Sequence, residues 1–498
     1  MLPVSKNSDR MSYTGARSNR WLVPLLAGMA VLLAYLLSKE MLLGVGVFAG
    51  VLGLAVVVVC MLNIELGLYI NICYSFFVCH FSREFFDYNF PVGIASNVLV
   101  ISTFLGLFNP KYNIRKSFDA FARAPVARIF LINLAFICIE LFNPLAHSFE
   151  GWYATFRQVL MTALLLFVSY NVFGDYKRIR RFLIVLFVLS VIVAGYGCFQ
   201  QWHGLLDFEL NWVTEDPTRF ALIYIAGDFR KFSTMPDPAS FAIDMSSIAV
   251  FFIILLTGRW KNKNRLVLLG GVLLLVLGMA YSGTRTANAM LLGGLVMFIL
   301  LTIDRRATIW FAGVSALAFL VLLLGPFGGN PTVNRFRTTF SGQKDESYNV
   351  REQNRKFVQP YIYHHPIGGG LGTTGEYGAK VNPGHFLAGF PTDSGYLRKA
   401  LEIGWIGLFL VLLLYYSILR AAIRGYFQCS NPRARLIYAA AAGYFFSFYV
   451  AEFAQDAVGQ VTDIVVYYPM IALVLQLKNH EKEMPLTQQL QTPQPRIT

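Results

Sequence analysis

Arg285 stands in the stretch Ser282-Gly283-Thr284-Arg285-Thr286 between two long apolar runs. A tight turn between such runs needs no charge, and a guanidinium placed there suits an electrostatic task such as gripping phosphate oxygens bidentately. Further on, Arg351 and Arg355 are four residues apart and would share one face of a helix over 347–363. Asn349 and Glu352 fit a capping box at its start, and Val350, Phe357, Val358 and Tyr361 would rest on the bilayer or the bundle. That helix reads either as an interfacial element snorkelling its arginines or as a cationic clamp for a phosphorylated lipid. Arg157 lies about one turn inside an apolar run, where a charge is costly and tends to face a bundle interior or polar cavity. Asp393, in Pro391-Thr392-Asp393-Ser394, suits a helix N-cap or a general base at the mouth of a cationic cavity. Asp244, Glu402 and Glu452 are the acids available as internal partners for these cations.

Other patterns carry less. Gly370-Leu371-Gly372-Thr373-Thr374-Gly375 matches G-x-G-x-x-G, but a dinucleotide site needs a strand before it and a βαβ unit around it, and neither is present in the pattern. A turn, or a backbone nest near phosphate, remains. His364 and His365 are adjacent and no H-E-x-x-H or paired-Cys motif occurs, so no metal site is expected. Five of the six cysteines fall in apolar runs, which implies no disulfide framework.

The elements that must position these groups are membrane helices. The chain is 56% hydrophobic and 14% charged, well below the charged share of a soluble globular protein. Apolar runs long enough to span a bilayer as helix lie near 21–38, 41–62, 64–80, 92–108, 126–143, 153–173, 181–200, 239–257, 265–281, 286–303, 307–325, 402–419, 436–453 and 461–477. The expected fold is all-α: a polytopic transmembrane helical bundle of about 14 spans with a long, partly helical extracytoplasmic loop. With the N-terminus in the cytoplasm, every basic cluster falls on the cytoplasmic side, and the short outer connections hold only Lys39, Arg83 and Arg285. The net charge of +14 is thereby a matter of orientation, with no nucleic-acid partner implied. An even span count returns the C-terminus to the cytoplasm.

The organisation expected is a cytoplasmic tail (1–20), N-terminal transmembrane helices (21–200), an outer loop (201–238), a transmembrane core (239–325), a long outer loop (326–401), C-terminal transmembrane helices (402–477) and a disordered cytoplasmic tail (478–498). Loop 326–401 is net positive although long loops escape the orientation bias, so its charge needs a functional cause.

Taken in order, Phe232-Ser233-Thr234 with Asp237-Pro238, the Ser-Gly-Thr-Arg285 turn, Arg351, His365-Pro366 with Gly370-Leu371-Gly372, and Asp393 with Tyr396-Leu397, Gly404 and Gly407 resemble the O-antigen ligase and O-antigen polymerase superfamily over roughly 230–420. The resemblance implies a metal-independent bacterial glycosyltransferase of the cytoplasmic membrane, without cofactor. It would move a glycan from undecaprenyl diphosphate to an acceptor hydroxyl on the outer face. Arg285 and Arg351 would bind the diphosphate and assist catalysis, with Arg355 and Arg157 as further candidates. Where the ligases have a His-Asn pair, this chain has Asp393-Ser394. That substitution points to the polymerase branch, whose acceptor is another lipid-linked repeat, rather than to transfer onto lipid A core. Asp393 is the preferred base and His385, eight residues earlier, the alternative. A protein-glycosylating member of the superfamily, and a transporter or flippase for lipid-linked oligosaccharide, are the competing possibilities; no internal repeat of the transporter kind is evident.

Overall fold

A computed structural model describes residues 28, 41–86, 90–146, 148–225, 227–326, 331–338, 346–392, 394–459 and 461–484. The chain divides into two units, 1–59 and 60–498. In the first, the described residues from 41 onward are helical and belong to Met41–Leu62.

The architecture is helical throughout, as the apolar runs require. Among the described residues, nine helices are long and apolar enough to cross a membrane, and three shorter apolar helices, Gly46–Leu62, Val92–Phe108 and Arg285–Leu301, accompany them. Val461–Leu477 forms a further helix. The run at 21–38 lies outside the described residues apart from position 28. The strands among the described residues are a two-residue antiparallel pair, Tyr224–Ile225 with Asp228–Phe229.

Helix starts follow local chemistry. Asp237 accepts from the backbone N–H groups of Ala239 and Ser240 at 2.7 and 2.9 Å, and Pro238 takes the first helical position. Asn431 and Pro432 repeat the arrangement for Pro432–Ala451. These two helices form the centre: 83% and 72% of their apolar windows are buried, against 6% for Arg306–Leu324, whose outward apolar face is left for lipid. Arg285–Leu301 packs on both. A Cβ at Gly294 would lie 2.9 Å from the Gly443 carbonyl, so only a small residue permits that approach of backbones.

Both long loops contain structure. The first holds Asp207–Glu215, Pro217–Ile223 and the strand pair; the second holds Pro331–Thr338, Glu346–His364, Gly375–Val381 and Gly395–Glu402. Glu346–His364 begins ahead of Asn349, which places Asn349 inside the helix rather than at its cap. Val358 is buried against Leu387 and Leu401, with Tyr361 partly buried beside them, whereas Val350 and Phe357 are exposed. Residues 478–483, assigned by composition to a disordered tail, form a 3-10 helix because Glu481 accepts from the N–H of Asn431 at 2.7 Å and Asn431 donates to Met484 O at 3.2 Å.

Candidate functional site

The turn at 282–285 joins two helices end to end in space. Thr284 Oγ1 donates to the Pro238 carbonyl at 3.1 Å, and Ser246 Oγ donates to the Ala287 carbonyl at 2.9 Å, so the N-terminal ends of Pro238–Leu256 and Arg285–Leu301 lie together. Arg285 occupies the first position of its helix and is half-buried. A helix N-terminus favours anions, which makes a cation there an added attraction for negative charge rather than a structural need.

Two arginines that the motifs did not single out close on this turn. Arg230 donates from Nε to the Ser282 carbonyl at 3.0 Å, from one Nη to Thr284 Oγ1 at 2.7 Å and from the other to the Leu222 carbonyl at 3.2 Å. Arg335, on Pro331–Thr338, donates to the Ile225 carbonyl at 2.7 Å and lies across Gly283, where a Cβ would sit 2.0 Å from its Nη1. Burial, then the charges of Arg335 and Arg285, bring the pKa of Arg230 down to about 10, with Asp237 acting the other way. Burial lowers Arg335 as well, and Asp228 opposes it. Three guanidiniums thus share one small region, where Asp237 and Asp228 offset part of their mutual repulsion. Arg335 was one basic residue among many in its loop, and Arg230 carried no signal beyond standing two residues before Phe232-Ser233-Thr234.

The other expected cations are placed differently. Arg355 lies 4.4 Å over the ring of Phe453 and donates to its carbonyl at 3.4 Å. Arg157 lies 6.0 Å from the Tyr153 ring and, with Glu150, within electrostatic reach of Tyr377. Arg351 is in the Glu346–His364 helix, and its side chain lies outside the described residues, as does Asp393.

Of the acids expected to partner these cations, Glu402 and Glu452 have other partners. Glu402 takes Arg398 at 3.4 Å and accepts from Thr374 Oγ1 at 2.5 Å; Glu452 takes Lys399 at 2.7 Å. Asp456 joins both bases, at 2.7 Å from Arg398 and 3.1 Å from Lys399. Burial would raise the Asp456 carboxyl, but Lys399 and Arg398 hold it down at about 2. Asp244 is buried within Pro238–Leu256. Ser394 is tethered here, because its Oγ donates to the Glu452 carbonyl at 3.0 Å and caps the next helix at Leu397 N–H. The glycine-rich stretch packs on the same network. Gly369 and Gly370 donate their N–H groups to the carbonyls of Leu401 and Glu402 at 2.8 and 2.9 Å, so those two amides are committed to the protein and not to a phosphate. His385 is half-buried beside Gly369, and its Nδ1 accepts the Leu387 N–H at 3.1 Å. In a neutral ring that leaves the proton on Nε2.

Residues 270–412 match the family model described as O-antigen ligase. The matched segment contains Arg285, Arg335, Arg351, Arg355, His385, Asp393 and Glu402, while Arg230, Glu452 and Asp456 fall outside it. No curated protein matches the chain.

Proposed function

We propose that this chain, whose residues 270–412 match the O-antigen ligase family model, is an envelope polysaccharide glycosyltransferase of the O-antigen ligase and polymerase superfamily that takes its glycan from undecaprenyl diphosphate at the outer face of the bacterial cytoplasmic membrane. The observation that carries this is the convergence of Arg230, Arg285 and Arg335 on the Ser282–Arg285 turn. During transfer the bond from the anomeric carbon to the diphosphate oxygen breaks, and one forms to the acceptor oxygen. Negative charge grows on the departing diphosphate, and donors already fixed in place stabilise it without reorganising. Arg351 is assigned to the same task; Arg355 and Arg157 are peripheral candidates.

The acceptor hydroxyl must lose its proton. Asp393 is assigned as the base; the residue that follows it, Ser394, is tethered to the Glu452 carbonyl. His385, whose Nδ1 accepts the Leu387 N–H and whose neutral ring therefore carries its proton on Nε2, is assigned to orient the acceptor, and it is the alternative to Asp393 as the base. An acceptor that is another lipid-linked repeat suits Asp393-Ser394 better than lipid A core does, because the ligases carry His-Asn there. The basic clusters support cytoplasmic N- and C-termini.

Reconstitution with lipid-linked repeat units alone tests the assignment. A ladder of longer products supports a polymerase, and transfer only after adding lipid A core supports a ligase. Labelled carrier moving between leaflets without any new glycosidic bond would replace the transferase with a flippase.

A further inference from the structure

Arg83, near the C-terminal end of Ile64–Phe85, is a cation whose sequence position suggested no role beyond that of a basic residue on an outer connection. It is buried. Its guanidinium stands 4.8 Å from the ring centroid of Trp212 and 4.6 Å from that of Phe232. Nη1 donates to the Met235 carbonyl at 2.8 Å and Nη2 to the Ser233 carbonyl at 3.1 Å. A guanidinium committed to two carbonyls and two rings acts on the protein rather than on a ligand.

What it grips is unusual. Ser233 has a φ of 53°, the one positive value at a non-glycine among the described residues, and such a backbone persists only where its surroundings over-determine it. They do so here. The Ser233 N–H donates to Gln200 Oε1 at 2.8 Å, its Oγ donates to the Val193 carbonyl at 2.6 Å, and Thr234 Oγ1 donates to the Phe76 carbonyl at 2.6 Å. Gln200 is fixed in turn by its donation to the buried Glu209 at 2.8 Å. The segment held this way leads back through Lys231, whose N–H donates to the Tyr281 carbonyl at 3.3 Å, to Arg230 on the Ser282–Arg285 turn. It leads forward to Asp237, the cap of the central helix.

We propose that Arg83 is a positioning residue for glycan transfer, clamping Phe232–Met235 as a strap that delivers the Arg230 guanidinium to the diphosphate turn. This rests on the assignment of Arg230 to the donor diphosphate.

The test is a double-mutant cycle in the full-length protein reconstituted in liposomes, with a lipid-linked diphosphate glycan as donor, comparing wild type, Arg83→Lys, Arg230→Lys and the pair. Lysine keeps the charge of Arg83 but neither the fork nor the flat face. Arg83→Lys is expected to raise the donor KM about tenfold in the wild-type background and less than twofold when Arg230 is already Lys, the signature of coupled sites. Equal effects in both backgrounds would overturn the clamp, since Arg83 would then act independently of Arg230. Hydrogen exchange over 228–237 gives a second readout that needs no substrate. Arg83→Lys should accelerate exchange in that strap, and unaltered protection there would also overturn it. If Arg83→Lys protein does not accumulate, Ser233→Gly, which tolerates the same φ while losing the Oγ bond to Val193, is read in the same cycle and the same exchange measurement. A wild-type protein inactive on every lipid-linked diphosphate would defeat the transferase assignment alone, and the exchange result would still decide whether Arg83 holds the strap.

Discussion

Arg230 and Thr284, 54 residues apart, are joined by a 2.7 Å hydrogen bond from the guanidinium to Oγ1. The bond fixes one arginine of the trio on the turn that carries a second, Arg285. Removing either cation takes away charge stabilisation that matters most as the diphosphate departs. Arg230→Ala and Arg285→Ala are each expected to lower kcat by about two to three orders of magnitude, the usual effect of deleting one fixed donor to a developing anion. The protein should remain in the membrane, since neither residue supports a span. Single-turnover transfer rates and polysaccharide length distributions check this, and wild-type lengths in both variants would reject the assigned roles.

Gly283 has a φ of 62° and leaves the space that Arg335 fills. Gly283→Ala places a methyl where Nη1 lies, and it also strains the backbone, since an L-residue disfavours that region. Arg335 must then leave the turn. Gly283→Ala should therefore lower donor affinity about as much as Arg335→Ala, and the double variant should be little worse than either single one, because both remove the same contact. Donor binding measured by titration decides it; full additivity would mean that Gly283 acts on something other than Arg335.

The membrane helices and the charge of Arg285 were legible because each depends on local sequence: an apolar run long enough to span, or a cation where a turn needs none. Arg230 was not legible, because its position depends on the Tyr224–Phe229 strand pair and on a turn some fifty residues later. The partners of Glu402 and Glu452 were misassigned for the same reason. Arg398 is one helical turn from Glu402, but Lys399 reaches Glu452 only because the segment after Pro432–Ala451 returns to the Gly395–Glu402 helix. Such a return is set by packing, and no motif announces it.

That return makes Lys399 a structural prediction. Glu452 is fully buried, and Lys399→Met would strand its carboxylate, which costs about 3–5 kcal/mol when a buried pair loses one member. Lys399→Met with Glu452→Gln should recover much of the loss. The same network sets an acid limit. The folded pKa of Asp456 lies below its ordinary value, so its pairing supports the fold fully above about pH 4 and is lost as pH falls toward 2. Thermal unfolding in detergent between pH 5 and 2 should lose stability faster for wild type than for Asp456→Asn, which has already forfeited the contribution.

His385 and Asp393 can be told apart by the proton each would handle. With Nδ1 accepting from Leu387, neutral His385 donates from Nε2, so His385→Gln, whose amide also donates, should retain far more activity than His385→Ala. Asp393→Asn should cost about two to four orders of magnitude as loss of a general base. Asp393 must be ionised to act, so kcat should rise with pH through the carboxylate range and stay level across pH ~6.5, the ordinary histidine pKa. An inflection near that value in wild type that vanishes in His385→Gln would transfer the base role to the imidazole and take it from Asp393.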